Sequence, residues 1–222
     1  MANQPLKISW TLCRPMIKND HPIHLDALLA WAAVRIAEEQ GAENHFAAQD
    51  DLPLAKDDNG TWKASMLIKR NSWSSLLFPM TKPFNVYLDD ADIYYEKKNI
   101  QFTPATGKFK AFDFRVQAGW CSEVNAWCIG DPDQVKLLLS RITSLGKLSR
   151  NNFGAIRDFS VIDDPAAEQL WQIRTLPLAL DNPVLPGYAR AMRVSAPPYW
   201  DKTRLEPCQV PIDPQGLCPA NC

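Results

Sequence analysis

The stretch DPDQVKLLLSRITSLGKLSRNNFGAIRDFSVID, residues 131–163, decides how this chain of 222 residues is read. Asp131 supplies a side chain that accepts first-turn N–H groups. Pro132 follows at the first helical position, where no amide hydrogen is needed. DQVKLLLSRI then runs on as a helix. A loop bracketed by Gly146 and Gly154 follows, and AIRDFSVID (155–163) has the composition of a strand. A helix returned to a strand by a short basic loop is half of a packed α/β unit, so the other half is sought upstream.

Upstream, LKISWTLCRPMI predicts a strand ending near Pro15. LDALLAWAAVRIAEEQ (25–40) predicts a helix, with Leu25, Leu28, Leu29, Ala32, Ala33 and Ile36 at helical spacing and Gly41 as its stop. Residues 43–58 are acidic and loop-like, and WKASMLIKR (62–70) predicts a second strand. Residues 111–130 carry two β-rich runs, AFDFRVQAGW and NAWCIG. Between these, 72–110 is aromatic, mixed in charge and punctuated by Pro79, Pro83, Pro104 and Gly107. It is expected to be an insertion, a projecting hairpin such as IYYEKKNIQF followed by GKFKAFDF. The order β, α, β, insertion, β, α, β predicts an α+β fold, the ferredoxin-like (RRM-like) βαββαβ core with a thumb-like hairpin inserted at about 72–115. The expected organisation is one domain over 1–165 and a proline-rich extension over 166–222 that packs on it; ten of the 18 prolines fall after residue 164.

Composition excludes several classes. With 46% hydrophobic and 22% charged residues the chain is neither disordered nor fibrous. No apolar run reaches the roughly 18 residues of a membrane span, and MANQPLKISW has no secretion-signal pattern, so a cytoplasmic protein with no membrane partner is expected. The six cysteines form no CxxC pair and read as reduced thiols; the trio Cys208, Cys218 and Cys222 lacks a fourth metal ligand. GxGxxG, GxxxxGK[ST], GxSxG and HExxH are all absent, so neither cofactor nor metal is expected. The net charge of −1 gives no global attraction to nucleic acid, which leaves local segregation of charge.

That segregation is present. Residues 136–157 hold five basic residues and no acid, whereas 38–58 hold seven acids and one base. Gly146 and Gly154 bracket Lys147, Arg150, Asn151, Asn152 and Phe153. Glycine lets backbone N–H groups approach phosphates, Lys and Arg neutralise them, and Asn hydrogen-bonds bases or sugars. Phe153, counted with this set and able to stack on a base, is better read as the apolar anchor of the loop. An ordinary solvated helix-to-strand loop has the same composition. Arg157 belongs to the same basic set, although strict alternation in AIRDFSV places it on the side of Ala155 and Phe159. Lys69, Arg70, Asn71 and Trp73 form a second basic and aromatic cluster. Lys97, Lys98, Lys108 and Lys110, interleaved with Tyr94, Tyr95, Phe102 and Phe109, form a third, suited to a hairpin along single-stranded RNA. His24 and His21, before the first helix, are either acid–base groups for an RNA 2′-hydroxyl or residues that pack against that helix. Asp26 reads as a helix N-terminal acid.

Taken together, PIHLDALLAW after the first strand, LGKLSRNNFGAIRDFSV before the last core strand, and the tail with APPYW resemble the RAMP superfamily of CRISPR-associated proteins. More narrowly they resemble the Cas-five-type subunit of type IV CRISPR effector complexes, over about residues 5–210. The resemblance implies a non-catalytic subunit that binds crRNA by its 5′ handle and caps the backbone filament. It implies contacts with a backbone-filament subunit and the large subunit, and leaves open a contact with target DNA near the PAM end. On this chain the superfamily's glycine-rich loop falls on Gly146–Gly154 and the thumb within 72–115. Two alternatives remain: a crRNA-processing endoribonuclease of the same superfamily using His24 or His21, and a structural adaptor that binds no RNA.

Overall fold

A computed structural model describes residues 3–18, 21–70, 74–82, 111–179 and 181–219. Strand β1 (Gln4–Leu12) continues through a bend into the short β2 (Met16–Ile17). Helix α1 (Leu25–Glu39) follows, and Gly41 at φ +75° ends it. Strands β3 (Ile68–Arg70), β4 (Ser74–Lys82), β5 (Phe112–Trp120) and β6 (Glu123–Gly130) come next. Helix α2 (Pro132–Leu139) has the cap read from the sequence: Asp131 accepts from the amides of Asp133 and Gln134, with Pro132 behind it. Strand β7 (Ile156–Asp163), helix α3 (Ala167–Leu170), and strands β8 (Leu176–Pro177), β9 (Tyr188–Arg193) and β10 (Glu206–Pro211) complete the order.

The central sheet has the order β3-β6-β1-β7, with every neighbouring pair antiparallel. Alternation sorts its side chains into two faces. Leu6, Ile8, Trp10 and Leu12 of β1, with Val124, Ala126 and Cys128 of β6, pack against Leu25 and Leu29 of α1 and Val135 and Leu139 of α2. Trp127 and Ile129 point the other way, onto Leu170, Trp171 and Ile173 of the C-terminal extension. Strand β6 is therefore buried on both faces, which is why NAWCIG reads as a nearly continuous apolar run. The extension adds its own sheet, ordered β8-β10-β9.

Two expectations change in detail. The strand expected over 62–70 pairs regularly only at 68–70, with bridges Ala64↔Cys128 and His24↔Met66 before it. In that stretch the Lys63 carbonyl accepts from Ile129 on one side, while the Trp62 and Ala64 carbonyls turn outward to the Arg174 guanidinium. The described arms of the insertion begin within the expected 72–115 and run past it to Trp120, while IYYEKKNIQF lies outside the described residues. The arms are SSLLFPMTK and FDFRVQAGW, paired from Ser74↔Trp120 to Lys82↔Phe112, with β2 on the far side of β5. Pro79 sits in β4, at the edge of this sheet, where a missing N–H costs no ladder bond. The candidate residues Asn71, Trp73, Lys108 and Lys110, and most of the expected thumb, lie outside the described residues.

Candidate nucleic-acid interface

The loop between α2 and β7 has a tightly specified backbone. Gly146, Leu148, Asn152 and Gly154 all have positive φ, at +89°, +58°, +65° and +63°, and a single 3₁₀ turn, Ser149–Asn151, lies among them. Glycine is required at 154, where a Cβ would stand 2.0 Å from the Leu145 carbonyl oxygen. The Gly154 amide donates to Pro15 O at 2.7 Å, and the Cys13 amide donates to Ala155 O at 2.9 Å. The loop is thus tied to the bend between β1 and β2.

Phe153 holds the loop from below. It is 8% exposed, packs with Ile17 and Ala118, and meets Phe78 of β4 edge-on at 5.4 Å. It anchors the loop, the reading preferred over base stacking for a loop aromatic between Asn and Gly, although the sequence also groups it with the RNA-binding residues. Its burial joins the loop to the base of the β4–β5 hairpin. Lys147, Arg150, Asn151 and Asn152 all remain exposed on the outer side.

Arg157 is exposed as well, through a β-bulge. Thr11 pairs with Asp158 but Leu12 pairs with Ile156, so Arg157 is the extra residue of β7. Ile156 and Phe159 both keep contact with the core as a result, and the simple alternation that grouped Arg157 with Phe159 does not hold.

The second cluster approaches the same bend by another route. Lys69 lines a cavity of about 510 Å³ together with Lys18, His21, Ile23 and Gln215. Burial lowers the Lys69 pKa, the Cys121 thiol opposes this, and the ammonium of Lys18 lowers it further. The carboxylate-bearing Asp213 lines the same cavity. Lys18 carries no sequence signal of its own; it is recruited because β2 pairs with β5 beside the loop. The Arg70 Nη2 is buried with no hydrogen-bond partner among the described residues.

The other histidine reading is decided by burial. His24 is 3% exposed, its ring stacks on Tyr199 at 4.7 Å and 7°, and its Nε2 accepts from the Thr175 amide at 3.2 Å. Burial, helped by the charge of Arg174, lowers its pKa well below the usual value. Beside it lies a group that the sequence reading missed. Arg174, fully buried, donates to Asp26 Oδ2 at 3.0 Å, to Tyr199 Oη at 2.8 Å, and to the carbonyls of Trp62, Ala64, Thr175 and Ser195. Tyr199 in turn donates to Asp26 at 3.0 Å. Asp26 is therefore an internal ion-pair partner, and burial raises its carboxyl pKa against the pull of Arg174. Cys208 is buried with its thiol aimed at Arg193 O at 3.5 Å, while Cys222 lies outside the described residues.

Residues 4–211 match the family model described as CRISPR type IV associated protein Csf3. The chain belongs to this family. No curated protein matches the chain. Among solved structures, the Csf3-family chain is similar, at 10% identity and a TM-score of 0.38, to a chain of the "Cryo-EM structure of the Type III-B Cmr-beta bound to cognate target RNA". The similarity covers 73% of the present chain and 61% of that chain, so less than two thirds of the latter is spanned.

Proposed function

We propose that this type IV CRISPR-associated protein is a non-catalytic crRNA-binding subunit of its effector complex, holding the 5′ handle of the guide RNA and capping the backbone filament. The observation that carries the proposal is the 146–154 loop. Its backbone is fixed by left-handed residues and a buried phenylalanine, and its outer side offers Lys147, Arg150, Asn151 and Asn152 to solvent. Lys18 and Lys69 extend the basic surface across the β1–β2 bend. Phosphates supply most of the affinity in this reading, and the asparagines read sugars or base edges. The strand order β3-β6-β1-β7, with α1 and α2 in its two crossovers, supports reading the core as ferredoxin-like, and the β4–β5 arms as the root of a thumb. In this reading a backbone-filament subunit and the large subunit are the protein partners.

The processing-nuclease alternative is carried by His21, which is exposed in the cavity with Lys18 and Lys69; His24 is sealed from solvent by Tyr199. One gel tests both readings. Labelled repeat RNA bearing the handle is incubated with the full chain in EDTA over a salt series. A salt-sensitive shift with intact RNA is expected. Cleavage abolished by His21→Ala would replace the proposal with the nuclease, and no shift of the chain alone or with the co-expressed filament subunit would refute RNA binding.

A further inference from the structure

The two faces of the β4–β5 hairpin are unlike. Alternation along an unbroken register puts Phe78, Met80 and Lys82 of β4 on one face with Phe112, Phe114 and Val116 of β5. Asp113 and Arg115 belong to the other face. Toward the root the first face is packed: Phe78, Met80 and Val116 lie against the cluster of Ile17, Ala118 and Phe153 that carries the 146–154 loop, and Leu148 joins them from the loop itself. Further along the hairpin the same face opens. Phe114 is 46% exposed and Phe112 39%, with their ring centroids 5.4 Å apart at 43°. An apolar face that starts beneath a loop and leaves it as two open rings is a ledge beside that loop.

Charge decides what the ledge takes. Among the described residues of this face the one charged side chain is Lys82, a cation, and Asp113, the one acid of the two strands, is turned away by alternation. Residues 146–154 beside it carry Lys147 and Arg150 and no acid. Open rings bordered by cations suit a single-stranded polyanion, whose phosphates meet the cations while its bases lay their π-faces on the rings. Leu148, between Lys147 and Arg150 in the chain, packs into the same cluster as Met80, and Met80 is the cross-strand neighbour of Phe114. Phosphates held by the loop therefore bring their nucleotides to the ledge. We propose that Phe114 and Phe112 form a stacking ledge for bases of the guide RNA as its backbone passes along the 146–154 loop. The proposal rests on the RNA-binding role argued above and adds to it a contribution from the bases, tolerant of sequence because every base has a π-face. The rings offered for stacking are thus Phe112 and Phe114, while Phe153 stays the buried anchor.

The test measures binding of the full chain to repeat RNA bearing the handle, and to the same RNA with abasic sugars throughout the handle, over a salt series. Phe114→Ser is expected to weaken binding of the intact RNA at least about fivefold, the lower end for loss of one base–aromatic stack, with the salt slope unchanged. Phe114→Trp should bind like the wild type, and the abasic RNA should not distinguish wild type from Phe114→Ser. Arg150→Ala, by contrast, should lower the slope on both RNAs. The serine variant replaces an exposed ring and should keep the denaturation midpoint; a fall shows a ring packed against its own chain and overturns the proposal. An equal loss of affinity on the abasic RNA overturns it too. Unchanged RNA binding with loss of the co-expressed filament subunit makes the ledge a protein surface instead. A wild-type chain that shifts no RNA, alone or with that subunit, refutes RNA binding and the ledge with it, whereas a shift indifferent to Phe114→Ser refutes the ledge alone.

Discussion

The 146–154 loop and the Arg174 cluster both gather cationic side chains, and they use them in opposite ways. In the loop, the apolar residue goes inward and the charges stay in water. At Arg174 the charge goes inward and takes an acid, a phenol and four backbone carbonyls with it. The buried cation holds the structure together: it caps the outward carbonyls of 62–64, grips the start of α1 through Asp26, and pins the extension through Ser195 and Tyr199. The cations of the loop lie on its exposed outer side. Density of basic residues does not by itself distinguish a binding surface from a structural hub; the surroundings of each charge do.

Replacing Arg174 by Met should have the largest effect. It strands Asp26 and the turned-out carbonyls, a loss of about 3–5 kcal/mol for a broken buried pair. The denaturant midpoint would report it, with part of the loss recovered by Asp26→Asn in the same chain. A loss below that of an ordinary surface substitution would erase the contrast. Gly154→Ala comes next, since the new Cβ would meet the Leu145 carbonyl at a left-handed φ. It should cost at least about 2 kcal/mol and also weaken the RNA shift, because the loop backbone must move.

The third effect depends on pH. The folded state lowers the His24 pKa, so below the unfolded-state value of about 6.5 the unfolded chain takes up a proton that the folded chain refuses. Stability contributed by neutral His24 is complete above that pH. It should fall by up to about 1.4 kcal/mol per unit as pH drops below it, and His24→Asn should flatten that slope. Smallest for folding, and sharpest for the comparison, is Arg150→Ala. Stability should stay within about 0.5 kcal/mol while the salt slope of RNA binding falls by about one unit. An unchanged slope would remove Arg150 from the interface.

Much of the scaffold was legible because its signals are local. The Asp131-Pro132 cap, the 3.6-residue period of α1 with its Gly41 stop, and the two β-rich runs before α2 each act within a few residues. The loop was legible too, as a basic stretch bracketed by glycines. Its geometry was not. That Phe153 anchors the loop could be read from its place between Asn and Gly, but its partners Ile17, Ala118 and Phe78 could not. The bulge that frees Arg157 arises from the register against β1, which no periodicity in β7 encodes. Lys18 joins the surface only through the pairing of β2 with β5.

By itself, then, the sequence determined the two long helices, the strands that flank them and the segregation of charge, but not the sheet of the C-terminal extension, since helix caps, hydrophobic periods and runs of like residues express preferences of neighbouring side chains. The tertiary structure decided which charges are sealed and which are offered. Asp26 looks like a helix-start acid and Arg174 like one more basic residue in a proline-rich tail. Packing brings the two within 3.0 Å across 148 positions of chain, and in doing so closes the edge of the sheet. Such a partnership depends on where two distant segments cross, and nothing in the residues adjacent to either one specifies that crossing.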